Sequence, residues 1–274
     1  MTVIGYTLGS GIGPELFPVA LQKARVPKDT KFLLCENLLQ AIELANSGKI
    51  QALVTGPVHK SILQNINNKS YAGQTELLYD YLAVDSKSPL MCFVGGPFVL
   101  GLATVHVPIR EVSKHITHES LTQKLERLIT GTALLLGKAE HEVHVIVLGL
   151  NPHAGEDGLL GDEEQLIITP VIEEFKQKGF QIEGPVPADG FWGYGYQKGN
   201  IDAVMAMMHD QGLGPYKLLT KGIAANLTFG LKIPRASPAH GTADELVGTG
   251  MASPDSLVKA IEVLGDLTLD PLYL

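Results

Sequence analysis

Cysteine is scarce: the 274 residues contain two, Cys35 and Cys92. They form no C-x-x-C pair and lack the density of a disulfide-stapled secreted scaffold, so they read as reduced thiols in apolar surroundings. Positive charge is in the minority. Lysine and arginine number 21 against 29 acids, a net charge of -8 with no block of one sign. Nucleic-acid binding needs a basic patch, which argues against such a partner, although local cations can still hold a small anion. Long apolar runs are missing as well. The most apolar internal stretch, "LITGTALLLG", falls far short of the ~20 residues that a bilayer span requires. The start, "MTVIGYTLGSGIGPEL", places no basic segment before an apolar one and does not read as a signal peptide. These absences lead to the expectation of a cytoplasmic protein with no membrane partner.

Several familiar chemistries lack their motifs. There is no G-x-S-x-G elbow and no H-E-x-x-H helix. "GSGIGP" opens like a dinucleotide fingerprint but has Pro14 where the third glycine belongs, and "TGPVHKS" lacks the glycine spacing of a P-loop. No repeat, low-complexity segment or flexible linker is present.

What is present is 45% apolar and 18% charged residues, enough for a substantial core. Short β-branched runs alternate with helical periodicity, the pattern of a mostly parallel sheet covered by helices. Strands are expected at "VIGYTL", "IQALVTG", "FVLGLATVHV", "EVHVIVLGL", "IDAVMAMM", "ANLTFG" and "IPRAS". Helices are expected after Pro14, in "VHKSILQNI", in "SLTQKLERLITGTALLL", in "EEQLIITPVIEEFKQKG" with a kink at Pro170, and in "PDSLVKAIEVLG". "NPHAGEDG" and the glycine-rich "HDQGLGPYK" read as loops.

Three histidines stand at or just past the ends of expected strands. His106 follows "FVLGLATV", His153 lies beyond "VHVIVLGL", and His209 follows "IDAVMAMM". Ligands of open α/β sheets bind outside the carboxyl ends of the strands. A lone histidine there is commonly just a hydrogen-bonded loop residue. Three imidazoles with an open position also form a catalytic divalent-metal site. Asp210 is suited to orienting a histidine or accepting a proton, and Lys217 to meeting an anion. In "SPAHGTADELVGTG" the glycines permit close backbone approach, and Asp244 and Glu245 are candidate acceptors for a ribose diol. The segment reads equally well as a polar connection before the last helix.

Taken together, "GIGPEL", "VTGPVHK", "GQTELL", "TVHVPIREV", "GLNPHAGEDGLLGDEE", "GPVPAD", "HDQGLGPYK" and "AHGTADELVGTG" resemble the 4-hydroxythreonine-4-phosphate dehydrogenase family of vitamin B6 synthesis, in order and over most of the chain. The resemblance implies the fold of the isocitrate and isopropylmalate dehydrogenases: two α/β/α lobes sharing a mixed, mostly parallel sheet around a central cleft. Residues 1–73 with 234–274 would form the cofactor lobe. Residues 74–233 would form the metal and substrate lobe, which carries the interface of a homodimer.

The resemblance also implies roles. His106, His153 and His209 would ligate a divalent metal, zinc first among zinc, cobalt, nickel, magnesium and manganese, at the dimer interface. Gln74, Thr75, Lys217, Asn226 and Arg235 would bind a small phosphorylated hydroxy-amino-acid substrate. Asp189, Asp210 and Lys217 would serve catalysis. His240, Gly241, Thr242, Ala243 and Glu245 would hold NAD, the acid at 245 favouring it over NADP. The implied reaction oxidises and decarboxylates 4-phosphooxy-L-threonine. The same chemistry on a phosphorylated sugar acid (4-phospho-threonate or -erythronate) or a cyclic dihydrodiol carboxylate is the alternative, and a non-catalytic metal-binding relative is a third. Two departures bear on the choice. Gln74 stands where the family usually has histidine, and "LGSGIGPE" replaces a longer first loop containing a glutamate.

Overall fold

The computed structural model describes residues 2–197 and 199–267. In chain order the elements are β1 (Val3–Thr7), α1 (Gly13–Lys23), β2 (Lys31–Leu34), α2 (Leu38–Asn46), β3 (Ala52–Thr55) and α3 (Gln74–Leu82). Then come β4 (Leu90–Val94), β5 (Val99–Leu102), α4 (Val112–His115), α5 (His118–Leu136), β6 (Val145–Leu148), α6 (Thr169–Gln177), β7 (Ile182–Val186), α7 (Ala188–Gly193), β8 (Ala203–Ala206) and α8 (His209–Leu219). β9 (Ala225–Phe229), β10 (Arg235–Pro238) and α9 (Asp255–Leu267) complete the order. The chain divides into two compact units, Met1–Pro89 with Gly222–Leu274, and Leu90–Lys221.

The first unit orders its strands β2-β1-β3-β10-β9. β1 is parallel to β2 and β3, β3 is parallel to β10, and β10 runs antiparallel to β9. All four residues of β3 are buried, as expected of a parallel strand covered on both faces. The second unit orders its strands β4-β5-β8-β6-β7. β4 is antiparallel to β5, and β5, β8, β6 and β7 are mutually parallel. Their segments "VLGL", "VIVL" and "AVMA" are fully buried. The expected class, a mixed and mostly parallel α/β fold, is the one observed.

Local chemistry sets the helix ends. Thr117 caps α5 by accepting from the Ser120 amide at 3.2 Å, and Gly137 closes it in the left-handed conformation. Leu121, Leu125, Leu128 and Ile129 bury one stripe of α5, the 3.6-residue period at work. Both cysteines are buried and unpaired, and burial raises both thiol pKa values. No helix among the described residues is long and apolar enough to cross a membrane.

Several elements depart from expectation. β2, β4, β7, α2 and α3 form where no element was expected, β4 as a fully buried apolar run and α2 with Leu38, Ala41 and Ile42 buried on one face. "VHKSILQNI" forms only a 3-10 turn over Lys60–Leu63. The segment 209–219 is a helix, not a loop, because Gly212 lets it lie against the sheet. A Cβ there would come within 2.8 Å of Ala206 Cβ and 3.0 Å of Leu102 Cδ2. Pro170 marks where a π-helical turn, Glu164–Ile168, gives way to α6. The units also divide at different points from the expected 73/74 and 233/234. Leu77, Leu78 and Leu82 of α3 share a buried cluster with Leu53, Leu231 and Ile233, which keeps α3 and the β9–β10 turn in the first unit.

Candidate functional site

The second unit collects four of the expected residues at one sheet edge. β5, β8, β6 and β7 are parallel neighbours, so their carboxyl ends lie side by side. His106 follows β5, His209 follows β8, His153 follows β6 and Asp189 follows β7. The β5–β8 pairing continues beyond both strands. The Thr104 hydroxyl donates to the Met207 carbonyl at 2.8 Å, and the Thr104 amide donates to it at 3.1 Å. That clasp brings the His106 and His209 ring centres to 6.0 Å. His209 opens α8, and its Nδ1 lies 2.7 Å from Asp210 Oδ1. A carboxylate at Nδ1 suits the tautomer that leaves the Nε2 lone pair available to a ligand.

Two cavities adjoin this edge, both walled by Ile109, Val112 and Met208. The smaller, 220 Å³, is lined by His106, His209 and Asp210. The larger, 660 Å³, is lined by His153, Asn151 and Asp189. The structure thus pairs His106 with His209 and sets His153 apart with Asp189. Among the described residues no three His, Cys, Asp or Glu side chains are close enough to hold a metal ion. The pair alone is compatible with a shared cation, since two imidazoles bound to one zinc at about 2.0–2.1 Å place their ring centres about 5–6 Å apart.

The brace under these residues was not read from the sequence. Gln211 accepts from the Met207 amide at 2.8 Å and donates to the Gly149 carbonyl at 2.7 Å, tying the β8 end to the β6 end. His153 lies in a turn whose backbone is left-handed from residue 153 to 157, with φ between 43° and 81°. Four of those five residues are not glycine, and each costs roughly 1–2 kcal/mol in that conformation. Groups outside the turn must hold it. Lys217 lies in the last turn of α8, exposed, and its ammonium meets no protein partner among the described residues. Seven residues separate it from Asp210, which puts both on one side of the helix about 10 Å apart.

The first unit gathers the other expected substrate residues around Arg235, which is only 3% exposed. Its Nε and Nη2 donate to Thr55 Oγ1 at 3.1 and 2.6 Å, and its Nη1 donates to Thr228 Oγ1 at 3.3 Å. No carboxylate among the described residues pairs with it. Burial pulls its pKa down to about 10, and the charge of Glu76 opposes that shift. Asn226 stands two residues from Thr228 on β9, on the same face. Its Oδ1 is buried and unpartnered, as are Thr7 Oγ1, Gln74 Oε1 and Glu76 Oε2. Gln74 begins α3, donates to the Gly56 carbonyl at 2.9 Å, and is followed by the buried Thr75. A buried guanidinium whose direct partners are neutral hydroxyls, with unsatisfied polar atoms on the same unit, is suited to an anionic, hydroxyl-bearing ligand. Thr55 and Thr228 had no sequence signal beyond their place in apolar runs.

The 240s loop packs against the first glycine-rich turn. The Ile12 amide donates to the Thr242 carbonyl at 3.0 Å, and a Cβ on Gly11 would come within 2.0 Å of that oxygen. His240 Nδ1 contacts its neighbour's carbonyl, Gly241 O, at 2.9 Å, while its Nε2 is buried and unpartnered. Ala243 is left-handed at φ 44°. Asp244 is taken up by His59 at 2.8 Å, a contact that lowers its carboxyl pKa below the usual range. Glu245 is exposed with no protein partner among the described residues, which leaves it as the acceptor free for a diol.

Comparison with known proteins gives these sites a context. A model of the family described as pyridoxal phosphate biosynthetic protein PdxA matches residues 14–264. The 4-hydroxythreonine-4-phosphate dehydrogenase of Bacteroides thetaiotaomicron is 42% identical over 230 residues, 84% of this chain. The chain spans 62% of that relative's length. The crystal structure of a 4-hydroxythreonine-4-phosphate dehydrogenase from Burkholderia phymatum is similar with a TM-score of 0.74 at 29% identity, covering 97% of this chain and 98% of that one. A β-decarboxylating dehydrogenase of Thermococcus kodakarensis, at 16% identity and a TM-score of 0.58 over 98% and 85% of the two chains, shares the fold alone.

Proposed function

Because the chain belongs to the pyridoxal phosphate biosynthetic protein PdxA family, we propose that it is an NAD-dependent, divalent-metal-dependent dehydrogenase that oxidises and decarboxylates 4-phosphooxy-L-threonine. The observation that carries the substrate class is Arg235, a buried guanidinium with no carboxylate partner among the described residues. It would clamp the phosphate or carboxylate of the substrate, with Gln74, Thr75 and Asn226 supplying neutral donors and acceptors.

His106 and His209 would hold the metal, with His153 as third ligand brought to it in an assembled homodimer. Ile109, Leu159 and Leu218, 78–82% exposed on the second unit, are apolar surface available to such an interface. When bound, the metal supplies Lewis-acid polarisation of the substrate alcohol, and NAD supplies a hydride acceptor. Asp210 keeps the His209 tautomer that presents Nε2, and either Asp210 or Asp189 takes the alcohol proton as hydride leaves carbon. The product ketone is β to a carboxylate, so carbon dioxide departs with its electron pair left on the adjacent carbon. Lys217 protonates that carbon or steadies the oxyanion. His240, Gly241, Thr242 and Ala243 would cradle the cofactor, and Glu245 would accept from its ribose hydroxyls.

A second reading, the same chemistry on a substrate without a phosphate, a cyclic dihydrodiol carboxylate, is favoured by Gln74. Its neutral amide already donates to Gly56 and offers no proton or positive charge to a phosphate. Steady-state turnover on 4-phosphooxy-L-threonine, on 4-phosphorylated threonate and erythronate, and on a cyclic dihydrodiol carboxylate separates the readings. Preference for the phosphorylated amino acid supports the first reading, and preference for the phosphate-free diol replaces it.

A further inference from the structure

The left-handed turn at 153–157 requires an outside support, and the strongest one in reach is a buried acid. Glu164 is 2% exposed. Its Oε1 accepts from the backbone amides of Leu150 and Asn151, both at 2.7 Å. Its Oε2 accepts from Asn151 Nδ2 at 2.8 Å, and the neighbouring Glu163 accepts from the same amide at 2.7 Å. No cation pairs with Glu164 among the described residues, so its partners are the loop itself. The backbone closes around this carboxylate. A Cβ on Gly149 would come within 3.1 Å of Glu164 Oε1, and one on Gly155 within 2.8 Å of Oε2. A Cβ on Gly161 would come within 2.4 Å of Asn151 Nδ2. Glu164 also opens the π-helical turn before Pro170, an irregularity that often accompanies functional sites.

Ordinary packing does not ask for this arrangement. An apolar side chain at 164 would fill the space without fixing the direction of the chain at 150 and 151. A carboxylate with two amides on one oxygen and an asparagine on the other fixes both the exit of the chain from β6 and the entry to the left-handed turn. We propose that Glu164 is a positioning residue, holding the turn that carries Asn151 and His153 so that the His153 imidazole is presented at a set place in the 660 Å³ cavity. What the imidazole meets there rests on the functional reading above. That the turn depends on Glu164 does not.

The test compares the full-length wild type with Glu164→Ala and Glu164→Gln, by peptide-resolved hydrogen exchange and by zinc titration. In the alanine variant, amides 150–158 should exchange at least ~10-fold faster while β6 and β8 stay as in the wild type. Zinc affinity should fall about 10–100-fold, as for other groups that orient a metal ligand. Glutamine keeps one oxygen for the two backbone amides but loses the acceptor for Asn151 Nδ2, which stays held by Glu163. It should restore part of the protection and part of the affinity, leaving it between the alanine variant and the wild type. Unchanged exchange at 150–158 in the alanine variant overturns the proposal. So does a uniform rise across the whole unit, which would make Glu164 a general stabiliser. So does a loosened turn with zinc affinity intact. If the wild type binds no zinc, the metal reading fails, and the exchange data alone decide the role of Glu164.

Discussion

Replacing Arg235 by methionine takes a charge out of the first unit while leaving a side chain of similar length. Two opposed effects decide the outcome. Burial lowers the guanidinium pKa from its ordinary value to about 10, and the corresponding cost of holding that charge in the ligand-free fold is about 3 kcal/mol. The sign is that of a buried base. The penalty is present below the folded value and is relieved as pH rises from there towards the unfolded one. Against it stand three hydrogen bonds to Thr55 and Thr228, each about 1 kcal/mol net. The terms nearly cancel, so Arg235→Met should change the ligand-free unfolding free energy by no more than about 1 kcal/mol. Ligand binding should behave differently, because loss of a buried charged contact costs about 2–5 kcal/mol, a rise in Kd of roughly 30-fold or more. Calorimetric unfolding with and without inorganic phosphate reads both quantities. A variant that loses more than about 3 kcal/mol without ligand, yet keeps the wild-type response to phosphate, would show that Arg235 is structural and refute the reasoning.

Other substitutions probe the remaining parts. Gly212→Ala gains up to about 1 kcal/mol in helix propensity. It also sets a Cβ 2.8 Å from Ala206, overpacking that costs about 1–3 kcal/mol; a Tm lower by a few degrees in scanning calorimetry is expected, and an unchanged or higher Tm would mean that α8 can shift. The lowered carboxyl pKa of Asp244 means that its contact with His59 is present above the usual carboxylate range and lost as pH falls through the folded value. The 240s loop should therefore become protease-sensitive on acidification. Asp244→Asn should show the same sensitivity at neutral pH, and equal resistance of both proteins would count against the contact. Glu245→Gln should raise the KM for NAD about tenfold and narrow the preference over NADP, since its carboxylate is the one acid of this loop left free; unchanged cofactor kinetics would remove it from the site.

The sequence carried the second unit's edge well because its signals are backbone-deep. "VLGL", "VIVL" and "AVMA" are continuous apolar runs, and a histidine after each marks a strand end whatever the packing. The sequence did not show which histidines meet. That depends on the clasp of Thr104 onto Met207 and on the left-handed backbone at 153, neither of which leaves a periodic trace. The helix at 209–219 was hidden by Gly212, Gly214 and Pro215, which read locally as a turn; only the closeness of Ala206 and Leu102 explains a glycine there. β2 was missed for a different reason. Three of the four β2 residues are exposed, and an edge strand with little burial has no alternation to detect. Arg235 was legible as a candidate substrate residue, but its burial against Thr55 and Thr228, with Glu76 the acid whose charge reaches it, is a tertiary fact. Thr55, Thr228, Gln211 and Glu164 belong to the same class, ordinary residue types made specific by what the fold puts beside them.

The central claim is oxidative decarboxylation at a histidine-held site, and the most direct measurement follows NADH and carbon dioxide together. Zinc-reconstituted protein would be mixed with NAD and 4-phosphooxy-L-threonine, with His209→Ala run in parallel. The account predicts one NADH and one carbon dioxide per substrate consumed, with both lost in the variant. NADH without carbon dioxide, equal turnover by His209→Ala, or no turnover by a wild type that binds both zinc and NAD would contradict it.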